Sequence, residues 1–178
     1  GPLDFFKSNM HHPLHKDENH HQMLTLEKLI ENDEDQKEAG KWGESMYNCD
    51  IPHITLKSMF DFIASNQDEF KTKFITWVGD NSAHNVWSNT NPEVVDYTVN
   101  ITKTLVDSLG PNSDITIFPS LGNHDTWPVN VEDFSSPNSN YAVNHVRPAW
   151  TGKNLLSEAE SEVFGQYGYY SKPFPFNP

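Results

Sequence analysis

The chain has 178 residues, with 12 Lys and Arg against 25 Asp and Glu, a formal charge of −13. That length sets a single domain as the first expectation. The acidic balance argues against a nucleic-acid or anionic-membrane surface, since both need basic patches. No run of eighteen apolar residues occurs, so the sequence offers no membrane-spanning helix.

Taken in order, residues 1–22 are polar and hold five of the nine histidines: His11, His12, His15, His20 and His21. A His-rich tract can bind metal, but these read as scattered side chains on a solvated arm. The opening residues do not read as a secretory leader, and Gly1-Pro2 is either a cleavage scar or native sequence. Met23 to Lys37 is helical in composition and ends in the acidic run Glu31 to Asp35, a solvated end. The expected organisation is therefore a polar, His-rich and acidic segment over residues 1–38 and a folded region over 39–178.

Within that region, Cys49-Asp50-Ile51-Pro52 reads as a turn and Thr55 as a helix N-cap. Leu56, Met59, Phe60 and Ile63 then form a helical stripe that packs on a sheet. Phe74 to Val78 is an apolar strand running into Gly79 and Asp80. Val94, Val95, Thr98, Ile101, Leu105 and Leu109 recur at spacings of three to four and give a helix with one apolar face, stopped by Gly110-Pro111. Ile115 to Ser120 reads as a second buried strand, running into Gly122-Asn123-His124-Asp125. Strand, helix, strand is a βαβ unit, so the two strands are parallel and end on one edge. Asp80, His84, Asn123 and His124 are then expected to converge there, at the edge where open α/β sheets bind ligands.

Beyond it lies a loop rich in Ser, Asn and Pro, Val129 to Asn140. Tyr141 to Trp150 reads as a helix ended by Arg147-Pro148 or soon after. Ser157 with Glu160 is a capping box opening another short helix. Gly168 to Ser171 reads as a strand start, and the Pro-rich end from Pro173 forbids regular structure. His53 and His145 are expected to be structural or exposed.

Gly-Asp after one strand and Gly-Asn-His-Asp after the next parallel strand resemble blocks of the calcineurin-like metallophosphoesterases. The longer texts, Trp77-Val-Gly-Asp-Asn-Ser-Ala-His-Asn-Val-Trp87 and Gly122-Asn-His-Asp-Thr-Trp-Pro-Val-Asn130, are similar to the acid sphingomyelinase branch, as is Trp42-Gly43-Glu44 leading to Cys49-Asp50-Ile51-Pro52. The resemblance covers roughly residues 39–171. It implies an α/β fold, a layered α/β sandwich around a mixed sheet, incomplete in this chain. It implies hydrolysis of a phosphodiester, first among them a phospholipid head group. It also implies two zinc ions per complete site, with Asp80 bridging them and Asn123 giving a neutral oxygen to one. His124 and His84 would stand near the substrate as catalytic groups.

The family pattern also includes an Asp-x-His block and a Gly-His-x-His block, and the sequence contains neither. The expectation is a piece of a longer enzyme whose other ligands lie elsewhere in the same polypeptide. The rivals are a polyphosphate or nucleotide phosphoesterase of the same family and a binding module that has lost its metals. Asn85 stands where the family usually has Asp. The family's partner for Cys49 lies upstream, where this chain has no cysteine; a buried free thiol is the other reading. Asn100-Ile101-Thr102 is the single glycosylation sequon, and with the resemblance it points to a secreted or lysosomal, extracellular-type compartment.

Overall fold

A computed structural model describes residues 41–43 and 50–174. The His-rich residues 1–22, the helix expected over Met23 to Lys37, Cys49 and the last four residues lie outside the described residues. Backbone contacts divide the chain into two units, residues 1–55 and 56–178. In the first, Gly43 has φ +85°, and a Cβ there would press on the Pro52 ring.

The described elements run α1 (His53–Ser65), α2 (Gln67–Phe70), β1 (Phe74–Trp77), α3 (Asn91–Leu109), β2 (Thr116–Pro119), α4 (Tyr141–Gly152) and α5 (Glu158–Tyr167). Helix α1 begins two residues before Thr55, which was expected to cap it. The Thr55 hydroxyl instead donates to the Trp42 carbonyl at 2.6 Å, while its N–H donates to Pro52 O. Thr55 is therefore not the N-cap of this helix; its hydroxyl does bond a backbone group, but one 13 positions away.

β1 and β2 pair in parallel, from Phe74 opposite Thr116 to Trp77 opposite Pro119. The helix between them makes the crossover. Helix α3 turns Val94, Val95, Thr98, Ile101, Thr102 and Leu105 inward, as its spacing requires. Ile117 of β2, Val143, Val146 and Trp150 of α4, and Phe164 of α5 form one core with Val95, Ile101 and Leu105. Trp150 is fully buried. Its ring lies 5.2 Å from that of Phe164 and 6.1 Å from that of Trp77. Its indole N–H donates to Thr102 Oγ1 at 3.0 Å, the handle a buried tryptophan needs.

Helix α4 runs past Pro148 to Gly152, slightly beyond the expected stop. Burial of Trp150 holds that last turn in place. Ser157 and Glu160 form the expected capping box at the start of α5. The expected strand at Gly168 is not formed. Gly168, at φ +73°, closes α5 by donating its N–H to Phe164 O. Tyr170 then sends its hydroxyl to the Pro119 carbonyl at 2.9 Å. Burial, and secondarily Glu160, pushes that phenol up to about 12. The segment is held by a side chain and not by a ladder of backbone bonds. Helices with a small parallel sheet make the described chain α/β.

Candidate active site

Because β1 and β2 are parallel, the loops after Trp77 and Pro119 leave the same edge of the sheet. Ser120 N donates to Trp77 O at 2.8 Å, so the chains remain side by side as they leave. Gly79 has φ +80° and Asp80 φ +57°. The left-handed region admits glycine freely and an aspartate at some cost. A Cβ on Gly79 would land on Gly122 N and on the Asp125 carboxylate. One on Gly122 would land on the Asp80 carboxylate, and within 2.7 Å of Asp80 N. The two loops touch backbone to backbone, and only glycine at both positions permits it.

Asp125 joins them. It is fully buried. Its Oδ2 accepts the N–H groups of Asp80 and Gly122, both at 2.8 Å, and its Oδ1 accepts that of Asn81 at 2.7 Å. Burial pushes its carboxyl above the usual range, and the N–H groups of Gly122, Asn81 and Asp80 draw it part of the way back. Asn81 ties the same loop to the core: its Oδ1 accepts the Trp77 indole N–H at 2.9 Å, and its Nδ2 donates to Thr98 Oγ1 at 3.1 Å.

The four residues expected to converge do come together. Asp80 is exposed, and its Oδ1 accepts the His124 backbone N–H at 3.1 Å. The rings of His84 and His124 meet edge to face, with centroids 5.2 Å apart. Asn123 donates from Nδ2 to Asn130 Oδ1 at 2.8 Å. That bond holds the amide in one orientation, and its oxygen is the atom with lone pairs to offer. A carboxylate, an amide oxygen and two imidazoles therefore lie on one strand edge.

Oxygen donors of this kind suit a divalent cation. Among the described residues, however, no three His, Cys, Asp or Glu side chains form a group that could hold a metal ion. Asp80 and Asn123 fit a part of such a centre, and further ligands would have to complete it.

Other sequence candidates lie elsewhere. Asn85 is buried behind the edge, its Nδ2 donating to Ser88 Oγ at 2.6 Å and its Oδ1 without a partner among the described residues. His145 is exposed and stacks on Tyr141 at 3.9 Å. Asn100 is exposed on α3, but the sequon's Thr102 is a core residue. Its hydroxyl donates to Thr98 O at 2.8 Å while accepting from Trp150. Asp125 was visible in the sequence as a third polar group in the turn, yet received no role. Its one sequence signal is that it follows directly on Gly-Asn-His.

The chain is 32% identical to sphingomyelin phosphodiesterase B of Dictyostelium discoideum over 139 residues, which is 78% of this chain and 21% of that protein. It is 31% identical to the human cyclic GMP-AMP phosphodiesterase SMPDL3A over 139 residues, 78% of this chain and 28% of that one. The chain is a relative of the acid sphingomyelinase-like phosphodiesterases. An endopolyphosphatase of Cryptococcus neoformans matches over 96 residues at 33% identity, 52% of this chain and 14% of that protein. No protein-family model matches. The chain thus spans between a fifth and three tenths of the two phosphodiesterases it resembles.

Proposed function

We propose that this chain is part of a metal-dependent phosphodiester hydrolase acting on a phospholipid head group. The observation that carries the reading is the junction of the two loops, which sets Asp80, His84, Asn123 and His124 on one edge. Relatives named as phosphodiesterases over 78% of the chain support it.

In this reading residues 39–178 are part of a layered α/β sandwich of the metallophosphoesterase type, and residues 1–38 are a polar, His-rich and acidic segment of sequence. Asp80 and Asn123 contribute oxygens to a site for two zinc ions, completed by ligands from the rest of the same polypeptide. Bound there, the metals would supply an attacking hydroxide and positive charge for the phosphoryl oxygens. Asp80 brings a negative charge and two oxygens to that site. His124 donates a proton to the leaving oxygen, and His84, in ring contact with it, hydrogen-bonds the phosphoryl group or shares the proton transfer. The compartment is secreted or lysosomal, and Asn100 carries a glycan. Polyphosphate or a nucleotide is the second substrate reading, supported by the relatives named as an endopolyphosphatase and a cyclic dinucleotide phosphodiesterase. A metal-free binding module of the same fold is the non-enzymatic rival.

The test compares leaving groups in the complete polypeptide. An alkoxide needs a proton as the P–O bond breaks, whereas a nitrophenolate leaves with little help. General-acid assistance is worth about 10²–10⁴-fold. His124→Ala is expected to slow an alkyl phosphodiester by that order and a nitrophenyl diester far less, with metal content unchanged. Equal losses on both substrates would move His124 from proton donor to phosphate binder. A wild-type protein without bound metal or diesterase activity would favour the binding module.

A further inference from the structure

One carboxylate, that of Asp125, bonds to both loops of this edge. It is fully buried, and all three backbone N–H groups it accepts come from the two loops: Asp80 and Asn81 from the first, Gly122 from the second. No described secondary-structure element contributes a donor to it. Its bonds cross from one loop to the other over 44 and 45 residues of sequence. At the same place Gly79 and Gly122 abut with no room for a Cβ on either.

Two of those bonds act on Asp80. One holds its own N–H, and the next holds that of Asn81, so the peptide units on either side of Asp80 Cα are fixed. That pair keeps Asp80 at φ +57°, a conformation that a non-glycine residue leaves when nothing pins it. With the backbone so fixed, the Asp80 carboxylate faces the second loop and accepts the His124 N–H. Asp125 thus aims the Asp80 side chain without touching it, and holds the His124 backbone in reach of it.

We propose that Asp125 is the positioning residue of this edge: by clamping the N–H groups of Asp80, Asn81 and Gly122 it sets the separation and orientation of Asp80, Asn123, His84 and His124. The proposal rests on the phosphodiesterase reading only for the size of its effect on turnover. The clamp itself can be read without any reaction.

The experiment has two arms. In the isotope-labelled chain, amide exchange and ring-to-ring nuclear Overhauser contacts are measured for wild type, Asp125→Ala and Asp125→Asn. In wild type the amides of Asp80, Asn81 and Gly122 are expected to be protected, with a contact between the His84 and His124 rings. In Asp125→Ala all three lose protection and the ring contact disappears, while α3 amides such as Leu105 remain protected. If that variant unfolds throughout, Asp125→Asn carries the test. One of its two positions becomes an NH₂ facing a backbone N–H, so at least one of the three amides must be released.

In the second arm, kcat/KM of the complete polypeptide for a nitrophenyl phosphodiester is compared at temperatures where every variant is folded. It is expected to fall on the order of 10–100-fold, as for groups that orient a centre from behind. A residue serving stability alone would lower the unfolding midpoint and leave turnover of the folded protein as it was. Protection of all three amides and the ring contact surviving in Asp125→Asn would overturn the proposal. So would their loss with unchanged kcat/KM. A wild-type protein with no diesterase activity would remove the functional reading and leave the first arm to decide the clamp.

Discussion

Thr102→Val is expected to destabilise the protein far more than its shape suggests. Thr102 is 1% exposed and Trp150 0%. The threonine hydroxyl accepts the indole N–H at 3.0 Å and donates to Thr98 O at 2.8 Å. Valine fills nearly the same space but leaves the indole N–H buried without an acceptor. That orphaned donor costs about 1–3 kcal/mol. The Thr98 carbonyl loses little, because it still has its helical partner. Thr102→Ser keeps the hydroxyl and removes one methyl, for about 1 kcal/mol. Trp150→Phe removes the donor itself, so combining it with Thr102→Val should cost less than the sum of the two single changes. The assay is urea unfolding of material made in a host that does not glycosylate. With a slope of about 2 kcal/mol per M, Thr102→Val should lower the midpoint by roughly 1 M. A change under about 0.5 kcal/mol, or strict additivity in the double variant, would refute the reasoning. The same residue completes the Asn100 sequon, so any glycan must be tested with Asn100→Gln. That change, on an exposed residue, should leave the unfolding free energy of the unglycosylated protein within about 0.5 kcal/mol.

Three further outcomes follow from the geometry. Gly122→Ala, whose Cβ has no space against Asp80, should cost about 1–3 kcal/mol as overpacking and abolish the His84–His124 ring contact, seen by nuclear Overhauser spectroscopy. Ser157→Ala removes the acceptor of the Glu160 N–H and should lower the unfolding free energy by about 1 kcal/mol, measured in urea. Tyr170 is raised to about 12 in the fold, so the unfolded chain loses this proton first. Its contribution is complete below about pH 10 and is lost as pH rises toward about 12. The urea midpoint of wild type should therefore fall more steeply than that of Tyr170→Phe over that interval.

The βαβ unit was legible because its signals are local. An apolar run, a helix with apolar residues every three or four positions and a Gly-Pro stop each constrain a few neighbouring residues, and α3 turns inward the face its spacing predicts. The capping box at Ser157 is local in the same sense. The misreadings are where a partner lies far away in sequence. Thr55 has the chemistry of a cap, but its hydroxyl goes to Trp42. Gly168-Tyr169-Tyr170 has the composition of a strand. A strand also needs a free neighbouring edge, and Gly168 in the left-handed region closes a helix instead.

The edge divides along the same line. That Asp80, His84, Asn123 and His124 share it followed from parallel pairing, which a crossover helix enforces. The choice of Asp80 as the aspartate of the edge came from the resemblance; what local sequence could not supply is why Asp125 is buried and Asp80 is not. Asp80 and Asp125 have the same side chain, and each sits in a polar turn just past a strand, Asp80 directly after Gly79 and Asp125 three residues after Gly122. The difference is set by donors: three N–H groups converge on Asp125 from loops more than 40 positions apart, and a buried carboxylate is tolerable only where such donors compensate its desolvation. Asp80 has one such donor and stays in water. Sequence shows where carboxylates are. The count of converging N–H groups shows which one holds the site together and which one the site presents.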